Sequence, residues 1–86
     1  MFYTQGATTN NFKKIEWGEK QHFIISNDSL SYSLTFNFDG GIIEMMLKPN
    51  EALEFQWFCE SQEIFVKDYI PGTHVSYRIW AWGGTS

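Results

Sequence analysis

Cysteine is almost missing from this chain, with Cys59 the only one in 86 residues. A single thiol excludes an internal disulfide and any multi-cysteine zinc site. Small secreted domains are usually stapled by disulfides, so its solitude predicts synthesis and folding in a reducing cytoplasm. Basic residues are scarce as well: six Lys and Arg stand against ten Asp and Glu, for a net charge of −4. No basic cluster goes beyond Lys13-Lys14, and neutralising phosphates needs a Lys/Arg stripe, so nucleic acid is not an expected partner. Long hydrophobic runs are missing too. The longest are about five residues, against the ~18–20 needed to cross a bilayer, and no membrane segment is expected. Met1-Phe2-Tyr3-Thr4-Gln5-Gly6 has neither a basic start nor a continuous apolar stretch, unlike a secretory signal.

What is abundant is ring surface. Eight Phe, four Trp and four Tyr make the chain 19% aromatic, and each ring can bury ~150–250 Å². The length suits one domain, which buries only roughly 60–65% of the surface its unfolded chain exposes. A core of that size cannot enclose all of these rings, so some are expected on a contact surface.

Residues 1–19 differ in texture from the rest and read as an N-terminal arm beside a β-domain at 20–86. The polar stretch Thr8-Thr9-Asn10-Asn11 separates Phe2 and Tyr3 from Phe12 and Trp17. Such a segment is either a loose terminus or an arm that docks on its own domain or a neighbouring subunit through those four aromatics.

From Lys20 onward the pattern is one of strands and turns. Gln21 to Ser26 is a β-rich run ended by Asn27-Asp28-Ser29. In Ser31 to Phe38 the apolar residues fall at 32, 34, 36 and 38 and the polar ones between them, which places the apolar set on one face of a strand and scatters it around a helix. Asp39-Gly40-Gly41 predicts a tight hairpin returning through Ile42 to Leu47. Pro49 breaks the ladder. A run with Leu53, Phe55 and Trp57 on one face and Glu54 and Gln56 on the other follows, then a polar turn at Glu60-Ser61-Gln62, a short strand Ile64 to Lys67, a turn at Pro71-Gly72-Thr73 and a last strand, His74 to Trp82. Asn50 to Phe58 is the one candidate helix, and its alternation argues against it. About six strands at spacings of roughly ten residues predict an all-β fold, a small antiparallel β-sandwich.

Catalytic chemistry finds little to work with. His22 and His74 lie on separate strands without metal-ligand spacing, so neither a metal nor a cofactor is expected. Cys59 with a histidine could be drawn as nucleophile and base, yet its setting between Phe58 and Glu60 suits an inert thiol. Glu51, Glu54, Glu60 and Glu63 read either as a solvated acidic face or as paired carboxylates and calcium ligands. The glycine pairs at 40–41 and 83–84 do not join a strand to a helix, so no phosphate cradle is expected. The chain is expected not to be an enzyme.

The final strand carries the functional signal. If Val75, Tyr77, Ile79 and Ala81 face the core, then Ser76, Arg78, Trp80 and Trp82 share the outer row. The opposite phase, with Trp80 and Trp82 inside and Tyr77 and Ile79 outside, is equally a strand. Either way both faces carry apolar side chains, as in strands whose second face is covered. Arg78, Trp80, Trp82, Trp17, Phe2, Tyr3 and Phe12 are therefore the candidate binding residues, of types enriched where proteins dock.

Ile25 to Ser29, Leu34 to Gly40, Leu47-Lys48-Pro49-Asn50-Glu51, Ile64 to Lys67 and Tyr77 to Gly83 follow one another in an order that resembles small virion proteins of tailed bacteriophages of Gram-positive bacteria, over residues 23–83. The resemblance implies a structural or accessory component of capsid, neck or tail, present in several copies, located in the virion and made in the host bacterial cytoplasm. Its expected partners are copies of itself and other virion proteins. The alternative is a carbohydrate-binding domain in host recognition, in which Trp80 and Trp82 stack on cell-wall glycan.

Overall fold

Six antiparallel strands make up the computed structural model, which describes residues 1–38 and 44–83, apart from the side chains of 19, 55 and 57–62. They are β1 (Phe2–Ala7), β2 (Lys13–Asn27), β3 (Leu34–Phe38), β4 (Met45–Leu47), β5 (Ala52–Asp68) and β6 (Ser76–Trp82), hydrogen-bonded in the order β1-β6-β2-β5-β3-β4. The described residues contain no helix.

β2 and β5 are long, at 15 and 17 residues, and they pair with each other at both ends while their register slips in between. Gly18, at φ 74°, sits where the slip occurs on β2, a backbone state that side-chain-bearing residues resist. The slip lets each strand turn from one layer into the other. One layer is β1, β6, the second half of β2 and the first half of β5; the other is the first half of β2, the second half of β5, β3 and β4. Two four-stranded antiparallel layers joined in this way form a double-sheet jelly roll, and the expected β-sandwich is the observed fold.

Two segments differ from the sequence reading. Residues 1–19 are built into the sheets: β1 pairs with β6 along its length, and Lys13 to Glu16 pair with Val66 to Glu63. The polar stretch that suggested an arm is a loop between two strands. Glu60-Ser61-Gln62 is not a turn, since β5 runs through it as the bent middle of one strand. The hairpin glycines 40–41, Ile42, Ile43, the facing of Phe55 and Trp57, the setting of the Cys59 thiol and Gly84 lie outside the described residues.

The core lies between the layers. Trp17 stacks on Phe23 at 4.4 Å between ring centroids, Phe38 lies 5.3 Å from Phe23 and 5.9 Å from Trp17, and Phe36 meets Phe38 edge-on. Ile25, Leu34, Leu47, Ile64, Val66, Val75, Tyr77 and Ile79 complete it. Burial raises the Tyr77 hydroxyl pKa. β3 starts at Leu34, later than its alternation predicts, because local side chains capture the preceding backbone. Asn27 donates to the carbonyls of Tyr32 and Leu47 at 2.9 and 3.0 Å, and Ser29 Oγ accepts the Tyr32 N–H at 3.1 Å.

The loops at one end close around a buried carboxylate. Asp68 accepts hydrogen bonds from Thr8 Oγ1, the Gly72 N–H at 3.0 Å and the His74 N–H at 3.2 Å. Gly72, at φ 90° after Pro71, supplies the third residue of a type II turn. Burial opposes the charge on Asp68, but the bonds from Thr8, His74 and Gly72 and the neighbouring His74 ring outweigh it and hold the carboxyl below its ordinary pKa.

Candidate functional site

Alternation along β6 sets the site. Val75, Tyr77, Ile79 and Ala81 are buried, while Arg78 is exposed and Trp80 and Trp82 are half-buried on the opposite face. Of the two phases open to the sequence, the tryptophans take the outer one.

Antiparallel register then assembles rows across the outer face of the first layer. Tyr3 of β1 and Ile24 of β2 flank Trp80, with Glu54 of β5 beyond Ile24. His22 lies beside Trp82, with Gln56 next. Gln5 and Ser26 flank Arg78, with Ala52 next. The Tyr3 and Trp80 rings sit 5.3 Å apart, and the Arg78 guanidinium lies over Trp80 at 5.2 Å, within cation–π range. His22 stacks on Trp82 at 5.5 Å, nearly parallel. Between these rows is an open depression of about 360 Å³ lined by Met1, Ile24, Ser26, Ala52, Arg78, Trp80 and Trp82.

The one cation on this face is paired. Arg78 donates two hydrogen bonds to Asp28, at 2.7 and 3.0 Å, and Ser26 Oγ donates a third at 2.8 Å. The Arg78 bonds hold the Asp28 carboxyl below its ordinary pKa, against partial desolvation, and the pair raises Arg78 in turn. A fork bound to both carboxylate oxygens is a fixed one. It fixes the guanidinium over the indole, so the face is preorganised.

The other expected site residues go elsewhere. Phe2 shares β1 with Tyr3 but turns inward, half-buried against the core. Phe12 lies on the outer face of the second layer, edge-on to Phe65 at 6.4 Å with Lys67 Nζ 4.6 Å from its ring centre. Trp17 is 3% exposed and offers no docking surface, because Gly18 and the register slip keep it under the core side of β2. His74 stands in the loop cluster by Asp68, away from His22. The sequence reading missed His22, Ile24 and Asp28. Their signal was the phase of Gln21 to Ser26, but Phe23, Ile24 and Ile25 are all apolar and give no phase of their own.

Comparison with models of protein families finds no match, and comparison with curated proteins finds none. Among solved structures the chain is similar to a de novo designed double-stranded β-helix studied in solution by NMR, with a TM-score of 0.66 and 15% identity over 95% of this chain and all of that one. At that identity the likeness speaks to fold alone.

Proposed function

We propose that this chain is a non-enzymatic structural or accessory component of a tailed-phage virion, in capsid, neck or tail, that self-associates and docks on other virion proteins through the outer face of β1, β6 and β2. The observation that carries this reading is the ring-bearing row of Tyr3, Trp80 and Trp82, with Arg78 among them, on the open side of a layer whose core side is already filled. Large rings and a tethered guanidinium combine apolar area with little conformational freedom left to lose. Each indole has a neighbour against it, Arg78 and Tyr3 for Trp80 and His22 for Trp82, which favours a shape-matched protein partner. The virion setting rests on the sequence resemblance. Double-sheet jelly rolls serve in both capsids and lectins, so the fold is compatible with this role without selecting it.

The second reading is glycan binding. It is favoured by two indoles about 7 Å apart on one strand face, by Ser26 in the depression, and by the polar Glu54 and Gln56, which line a second hollow on the other side of Trp82 with His22. Sedimentation across a concentration series separates the two. Association that Trp82→Ala weakens about tenfold or more supports docking. A protein that stays monomeric throughout, with tryptophan fluorescence that shifts on titration with Gram-positive cell-wall polysaccharide, supports glycan.

A further inference from the structure

A jelly roll opened into two layers has four outer strands, and three of them here are guarded. The first half of β2 carries Lys13, Lys14 and Glu16, the first half of β5 carries Glu54 just after Glu51, and β4 is only 3 residues long between Glu44 and Lys48. Charge and brevity are the usual protections against strand addition. β1 has neither. Its 6 residues, Phe2 to Ala7, contain no Lys, Arg, Asp, Glu or Pro, and its pairing with β6 runs without a bulge.

The backbone direction follows from the ladder. Thr8 N–H donates to the Val75 carbonyl at 2.9 Å, and antiparallel pairs alternate. Gly6, Thr4 and Phe2 therefore turn their peptide groups toward β6, while Tyr3, Gln5 and Ala7 turn theirs outward. No hydrogen bond from elsewhere among the described residues reaches those outward groups.

Resting on the self-association proposed above, we propose that β1 is the seam: two copies pair antiparallel along this strand about a two-fold axis at Gln5, joining their first layers into one continuous sheet. A second copy fits for reasons written in the strand. With the axis at Gln5, every outward group of Tyr3, Gln5 and Ala7 meets its complement, giving about six ladder hydrogen bonds. Tyr3 then faces the partner's Ala7, and Thr4 faces the partner's Gly6, a large side chain against a small one in both cases. Charge permits it as well. Neither β1 nor β6 carries a carboxylate, and the one cation, Arg78, is neutralised by Asp28, whereas the net charge of −4 opposes pairing through the acidic edge of β5. The Tyr3 and Trp80 rows of the two copies would lie on one side of the joined sheet.

An edge of this length is smaller than the ~800 Å² per partner of a standard stable interface, so the dimer should form and dissociate within an accessible concentration range. Sedimentation equilibrium on the full chain tests it with three variants, each checked for native circular dichroism. Gln5→Lys puts like charges together at the axis. Gln5→Pro removes an outward N–H that β6 does not use, a substitution edge strands tolerate. Trp82→Ala alters the outer face alone. The expected result is that both Gln5 variants weaken the dimer about tenfold or more, whereas the loss caused by Trp82→Ala falls on association beyond the dimer, through the outer face. In a Cys59→Ser background, oxidised glutathione should convert Gln5→Cys to a disulfide-linked dimer, being itself reduced to two equivalents of the thiol. Dimers that survive both Gln5 substitutions and are lost with Trp82→Ala overturn the seam and leave self-association through the face intact. A wild type that is monomeric at every concentration overturns both.

Discussion

Replacing Trp17 by alanine is expected to lower the free energy of unfolding by about 3–5 kcal/mol, a large part of the ~5–15 kcal/mol that holds a typical domain. Trp17 is almost fully enclosed, stacked on Phe23 and against Phe38 where β2 passes from one layer to the other. Cavities at such junctions collapse poorly because neighbouring backbone is held by two ladders at once. Urea unfolding followed by far-UV circular dichroism measures the loss. Phe12→Ala provides the contrast, since its ring lies on the surface and its removal should cost about 1 kcal/mol or less. Equal effects of the two substitutions would mean that residues 13–17 are not the structural half-strand described.

The second large effect is expected at Asp68. Asp68→Ala removes the acceptor of Thr8 Oγ1 and of the Gly72 and His74 N–H groups and loosens the loop after β1 from the loop before β6, leaving the bonds of Thr8 to Val75 and of Gly72 to Asn10. Hydrogen bonds to a charged group contribute about 1.5–3 kcal/mol each, with losses far from additive, so a cost of about 3–4 kcal/mol is expected. In an 86-residue domain each kcal/mol lowers Tm by about 4–8 °C, which predicts a fall of about 12–32 °C by calorimetry. The pH dependence has a definite sign. Because the folded carboxyl has a pKa below its ordinary 3.8, its stabilisation is complete above that value and is lost as pH falls from there through the folded pKa. Asp28, lowered by Arg78, adds a contribution of the same sign, reduced by solvent screening. The wild type should therefore lose stability on acidification in that window more steeply than Asp68→Ala. Parallel pH profiles would show that Asp68 does not carry charge into the folded state.

Much of the architecture was written in local patterns. The strict alternation ending in Leu34-Thr35-Phe36-Asn37-Phe38 and the turn chemistry of Pro49-Asn50 and Pro71-Gly72 need only nearest neighbours to act, and they mark strands and turns correctly. Asn50 takes a positive φ of 58° and Gly72 one of 90°. What local patterns do not carry is continuity. Glu60-Ser61-Gln62 resembles a turn because polar residues interrupt an apolar run, yet the partner strand β2 bends with it and the ladder continues. Residues 1–19 resemble an arm because Thr8 to Asn11 are polar, and it is the long-range bonds of Thr8 and Asn10 to Asp68, Val75 and Gly72 that tie the segment down. The number of strands came out as six for partly wrong reasons: two expected strands are one, and β1 takes the vacated place. At the site, Arg78, Trp80 and Trp82 were legible from alternation, and so was Tyr3 as a ring in need of a surface. Asp28 was not, because its role comes from a bond across 50 positions of sequence.

The two long ribbons have a mechanical consequence. In a sandwich of separate leaves, one leaf can peel away while the other keeps its own hydrogen bonds. Here β2 and β5 are members of both leaves, so a pull on either is transmitted through the fold and neither leaf can part from the other without breaking its own seams. A domain held in this manner yields all at once or not at all.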